Sequence, residues 1–179
     1  MNDQSAAPAS GFEGREDELG KAVALALRTL KDGIPYQHEM NDALVKMHLN
    51  SLQFAKNKGL TAQFVAHDLA DKRPMLQRLR AEIERTEDRT LALQGVFDRS
   101  TDLYQLCLDL EGSGAQRRFT FPFTHVLTIS RRIGQFDLTD HEVHETWLKP
   151  CLEGYARELG VEFEVSAIDA ENKVTVTLR

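Results

Sequence analysis

The chain has 179 residues, 41% hydrophobic and 28% charged, a composition that excludes wholesale disorder. A chain of that length buries roughly 70% of its unfolded surface, so no disulfide or metal staple is needed for folding. Its 22 Lys and Arg against 28 Asp and Glu leave a net charge of −6, which argues against whole-surface binding to nucleic acid or another polyanion.

Residues 1–13 read as a disordered tail. Their polar, Ser/Ala-rich opening carries neither the basic nor the apolar stretch of a classical secretion signal. No run of roughly 18 apolar residues suits a membrane span, so a cytoplasmic location and no membrane partner are expected. A first helix starts near Glu16, with Asp17 and Glu18 in its first turn and Arg28 and Lys31 in its last, an order that complements the helix dipole. A second runs from about Tyr36 to Lys58, with Met40, Leu44, Met47 and Phe54 on one face, Val45 and Leu52 widening it, and Gly59 as its cap. Thr61 is placed to cap a third helix that reaches Arg73, where Pro74 ends or kinks it.

Met75 to Glu111 reads as one long helix. Leu76, Leu79, Ile83, Thr86, Thr90, Leu93 and Phe97 step by threes and fours, close to a heptad pattern. Such a helix would be about 55 Å long, more than a globule of this mass spans. It therefore either breaks near residues 85–90 or has its overhang covered by a second chain. Gly112-Ser113-Gly114-Ala115 then reads as a linker.

Beyond the linker Phe119, Phe121 and Phe123 alternate with polar residues and Pro122, the pattern of a short edge strand. Residues 123–133 are open to both helix and strand, and 125–132 are read as helix. Thr139 and Glu142 form a capping box that starts a helix at Asp140, with Val143, Trp147, Cys151, Tyr155 and Leu159 as its apolar stripe and Pro150 as a kink. The end of the chain, 161–179, is a β-hairpin whose alternation pairs Phe163 with Leu178 and Val165 with Val176. The expected class is mainly α (α+β). It comprises an elongated helical bundle over 15–111 and a small α+β module over 117–179, the two sharing one core or standing as two.

Three groups of residues could carry chemistry. Residues 112–136 contain no Asp or Glu, and Arg117, Arg118, Arg131 and Arg132 give them +4, which leaves −10 on the rest of the chain. Guanidinium groups beside Phe119, Phe121 and Phe123 suit an acidic protein surface, or single-stranded nucleic acid. The plainer reading puts the rings in the core and the arginines in solvent or in ion pairs. His141, His144 and Glu145 share a helix face and are candidate metal ligands, although neither zinc-protease nor di-iron spacing is present. Cys151, beside Lys149 after Pro150, would be a reactive thiol at a helix start, or a buried inert one in phase with Trp147 and Tyr155. Cys107 and Cys151 are too few for a disulfide scaffold.

No motif specifies a reaction. The expected function is a non-catalytic interaction or regulatory protein, without cofactor. It docks to an acidic partner protein through Arg117, Arg118, Phe119, Phe121, Phe123, Arg131 and Arg132, as a homodimer built on the long helix. A metal- or cofactor-dependent helical enzyme using His141 and His144, with His125, is the alternative. A single-strand nucleic-acid binder is the third.

Overall fold

A computed structural model describes residues 13–32, 35–99, 103, 106, 107 and 109–179, with side chains left out over 28–41. The expected tail lies outside these residues except for Glu13. The chain forms two compact units, Met1–Met40 and Asn41–Arg179. It is mainly α with a three-stranded antiparallel sheet near its end.

Helix α1 (Glu16–Asp32) opens on the acidic turn read from the sequence, and the Arg15 guanidinium holds Glu18 at 2.7 Å. Helix α2 (Pro35–Lys58) ends at Gly59, whose φ of 68° is the left-handed cap conformation. Its buried face is Val45, Leu49, Leu52 and Ala55, whereas the expected Met47 and Phe54 are 69% and 61% exposed. Both stripes obey helical spacing. The shorter side chains are the ones the core takes, because they let the helix approach its neighbours closely.

Helix α3 (Thr61–Thr86) starts with Leu60, not Thr61, in the cap position and runs through Pro74. Pro74 is exposed, so the carbonyl it deprives of an N–H partner turns to water. The single helix expected over 75–111 does not form. Thr86 Oγ donates to the Glu82 carbonyl and accepts from Asp88 N–H, while Thr90 N–H and Oγ donate to Asp88 Oδ1. With Glu87 left-handed (φ 58°), these local bonds outcompete the helix ladder and end α3. A short α4 (Leu91–Leu93) continues into a π turn, Gln94–Arg99. Gly95 there lies so close to Leu79 that any side chain would strike it. The heptad-like stripe is thus folded back on itself: Leu76, Ile83, Leu93, Val96, Phe97 and Leu106 are all buried within one chain.

The Gly/Ser segment is a tight turn. Glu111 and Arg118 exchange backbone hydrogen bonds of 2.7 and 2.8 Å across it. Gly112 sits at φ 121° with the Gln116 carbonyl where a Cβ would go. Strand β1 (Gln116–Thr120) follows, three residues earlier than the phenylalanine alternation indicated. Next come α5 (Thr124–Arg132), the helix expected over 125–132, and α6 (Asp140–Val143), whose capping box is formed in both directions.

A π turn (His144–Leu148) joins α6 to α7 (Lys149–Leu159). It stands where a kink at Pro150 was expected. Lys149 N–H reaches back five residues to the His144 carbonyl. The widened turn makes room for the proline ring and for the N–H it lacks. Gly154 brings α7 onto Leu69 of α3, where a Cβ would meet Leu69 at 2.5 Å.

Strands β2 (Phe163–Val165) and β3 (Lys173–Leu178) pair as the sequence indicated, Phe163 with Leu178 and Val165 with Val176. The strand order is β1-β3-β2, so β3 is central and β1 lies at an edge, where the neighbouring Pro122 costs no ladder bond. One buried cluster takes in Val45 of α2, Leu76 of α3, Phe97, Phe119, Trp147 and Val176. Residues on both sides of the Gly112 turn therefore share a core. Among the described residues no helix is long and apolar enough to cross a membrane.

Candidate docking surface

Phe119, Phe121 and Phe123 are at most 1% exposed. Phe119 packs on Phe97 with ring centres 5.5 Å apart. Phe121 and Phe123 continue a row of rings through Trp147 to His48, at 5.4, 5.5 and 5.0 Å. The rings belong to the core, and none offers a face to a base or a partner.

The four arginines separate. Arg117, a buried charge, points across β1 to Asp98 in the first π turn. Its Nε and Nη2 donate to the two carboxylate oxygens at 3.1 and 2.7 Å, the two-pronged geometry a guanidinium favours. Arg118 is held by Asp169 at 2.9 Å and Glu171 at 2.7 Å in the β2–β3 loop. Arg131 donates to the Leu127 carbonyl and lies 3.4 Å from Asp140. Arg132 is exposed, and among the described residues no carboxylate pairs with it.

Asp169 organises the loop that receives Arg118. Its Oδ1 accepts from the backbone N–H groups of Glu171 (2.9 Å) and Lys173 (2.8 Å). The Lys173 N–H first, and then the Arg118 guanidinium, hold the carboxyl below the usual aspartate range. A depressed carboxyl stabilises the fold above its unfolded value of about 3.9 and loses that contribution as pH falls through the folded value. A carboxyl NMR titration is expected to place the Asp169 midpoint below about 3.9, with faster exchange of the Glu171 and Lys173 amides as it protonates. A midpoint at or above the free value would contradict this account.

His141 and His144 do not converge on a metal site. His144 is 1% exposed, His141 is exposed, and among the described residues no three His, Cys, Asp or Glu side chains are placed to hold an ion. The π turn aims His144 at the sheet. Nε2 donates to the Ser166 carbonyl at 2.9 Å, and Nδ1 meets Glu145 at 2.8 Å. That contact holds the Glu145 carboxyl below its ordinary range. Ser166 supplies its hydroxyl instead of its carbonyl to the Thr175 N–H, so the ladder tolerates the diversion. Cys151 and Cys107 are buried and free, and burial first pushes both thiols well above the ordinary range, with Asp68 adding to the effect at Cys151. The reactive-thiol reading has no footing here.

What the segment leaves on the surface lies on α5 and at the residue that caps it, Ile133. Val126, Leu127 and Ser130 face the core, which turns Ile129 and Ile133 outward at 49% and 75% exposure, beside Arg131 and Arg132. A groove of about 100 Å³ runs between this face and α2, edged by Ile129, Ile133 and His125 on one side and Asp42 and Lys46 on the other. Sequence reasoning missed the two isoleucines. With 123–133 open to both helix and strand, no face could be assigned to them. Comparison with protein-family models, curated proteins and solved structures finds no match to this chain.

Proposed function

We propose that the chain is a non-catalytic docking protein, an adaptor or regulator, that binds an acidic surface of another protein through α5. The reading rests on one observation: two large aliphatic side chains, Ile129 on α5 and Ile133 just past its end, stand exposed beside the guanidinium of Arg132, which no carboxylate among the described residues holds. Ile129 and Ile133 supply apolar contact, and Arg132 with Lys46 supplies positive charge that sets register. Arg132 and Lys46 outnumber Asp42 on this face, so the charge favours a different, acidic partner over a second copy. Docking needs no reacting group, and the charged groups the fold buries are spent on its own elements, as in Arg117 with Asp98.

The homodimer expected from the 75–111 stripe is not part of this reading, because that stripe is buried within one chain. The nucleic-acid reading loses its stacking rings to the core. A reducing cytoplasm suits two buried, unpaired thiols.

The test compares affinity capture by the natural chain with capture by Ile129→Ser/Ile133→Ser and by Lys46→Glu/Arg132→Glu. All four positions are exposed, so melting temperatures are expected to stay close to that of the natural chain. One and the same captured protein is expected to drop at least about tenfold with both variants. Undiminished capture by both would overturn the reading.

A further inference from the structure

The sheet has two edges, and they are treated differently. At β1, the Glu111–Arg118 bridge and a 3.0 Å bond from Thr120 N–H to Asp109 Oδ1 occupy the outer side. At β2 the register leaves the outer side open. Leu178 N–H turns to Ala115 on the β1 side, whereas Arg179 N–H donates to Glu162 and Ser166 N–H to Thr175 on the β2 side. Glu162, Glu164 and Ser166 thus bond inward, and Phe163 and Val165 direct their N–H and C=O groups away from the sheet. Among the described residues, no hydrogen bond from outside the sheet reaches them. Beside this edge lies a groove of about 330 Å³ against α7, lined by Ala156, Val161 and Phe163 with Glu153, Arg157 and Glu162 at its rim.

We infer that the β2 edge is a second docking site, independent of α5, which takes an extended segment of a protein partner as an added strand. Four backbone groups, the N–H and C=O of Phe163 and Val165, supply the pairing. Side chains alternate along such a strand. Those on the α7 side enter the groove over Ala156 and Val161 and should be apolar. Those on the other side lie along Glu162, which no cation among the described residues pairs, and Glu164, which Arg179 holds, so Lys or Arg is called for beside Glu162. The same acids argue against a second copy as the occupant. Two β2 edges paired antiparallel about Phe163 would set each Glu162 opposite the other copy's Glu164, two acids with one arginine beside them, and like charges directly opposite destabilise a pair.

The probe is a blocked peptide of alternating Lys and Val, titrated into the intact chain and followed at the backbone amides of Phe163 and Val165 by NMR. Both amides are expected to shift and to gain exchange protection. The same peptide N-methylated at alternate backbone nitrogens keeps its charge but cannot pair, and should bind at least about tenfold more weakly. Glu162→Lys should weaken the parent peptide several-fold while leaving the fold intact, since Glu162 is exposed. Equal binding of the N-methylated peptide would reduce the site to bulk charge and overturn the inference. So would unmoved Phe163 and Val165 amides at millimolar peptide. Protection of those amides that rises with protein concentration alone would assign the edge to a second copy, and overturns it as well.

Discussion

Replacing Phe119 with alanine is expected to cost about 3–5 kcal/mol of stability, read as a fall in the urea midpoint at unchanged slope. The ring is fully buried, sits opposite Val174 in the β1–β3 register and rests on Phe97. Truncation removes apolar area and leaves a cavity that β1, held by backbone bonds to β3, cannot close. Phe119→Leu keeps most of the volume and should cost about 1–1.5 kcal/mol. These outcomes separate a core role from a partner-facing one. A surface phenylalanine would change stability by no more than about 0.5 kcal/mol and would act on binding instead. A loss below about 1 kcal/mol for the alanine variant would return the ring to the surface.

Arg117→Met is the second large effect, expected at about 2–4 kcal/mol. Removing the guanidinium strands Asp98 beside a greasy strand. Asp98 keeps 34% exposure at its side chain, so it still reaches water, and the loss falls toward the lower end of what breaking a fully buried pair costs. The double variant Arg117→Met/Asp98→Ala should recover about 1–2 kcal/mol of that loss, since no lone charge remains. A thermodynamic cycle over the four proteins measures the coupling. If Arg117→Met alone lies within about 1 kcal/mol of the natural chain, the pair is no anchor for β1. Because Arg117 is committed to Asp98 and Arg131 to Asp140, reversing either charge is a poor probe of docking, and for this reason the capture test uses Lys46 and Arg132.

What could be read in the sequence was local. The capping box at Thr139–Glu142 depends on residues three apart, and it forms as expected. The terminal hairpin register follows from strict alternation on both strands, since a one-residue slip would turn Phe163 and Val165 out of the core. The end of α2 was equally plain, because Gly59 is the residue that most easily adopts a positive φ.

What could not be read depended on distant partners. Pro74 stays inside α3 because its side of the helix faces water, and a lone sequence does not show which side that is. Arg117 finds Asp98 across 19 positions of chain. The phenylalanine alternation was real, but strand pairing ends at Thr120, and Phe121 and Phe123 are buried as the chain turns into α5. The break after Thr86 was half legible: helix length left a break or a covering second chain as the options, and the Thr86–Asp88–Thr90 bonds that decide for the break appear only in three dimensions. The proposed docking surface was legible only in part. Its charge could be counted from the sequence, but its aliphatic half required knowing that 124–132 is helical.

The π turn at His144–Leu148 also bears on which changes in chain length the protein tolerates. A π turn holds one residue more than regular α-helix needs for the same advance. Excising either Glu145 or Thr146 would relax that stretch to ordinary helix and leave Cys151, Leu152 and Tyr155 facing inward. The same excision two turns later, inside α7, would swing everything beyond it by about 100° and expose the stripe. Insertions and excisions that separate lineages of this protein should therefore gather at 144–148 and spare 151–159.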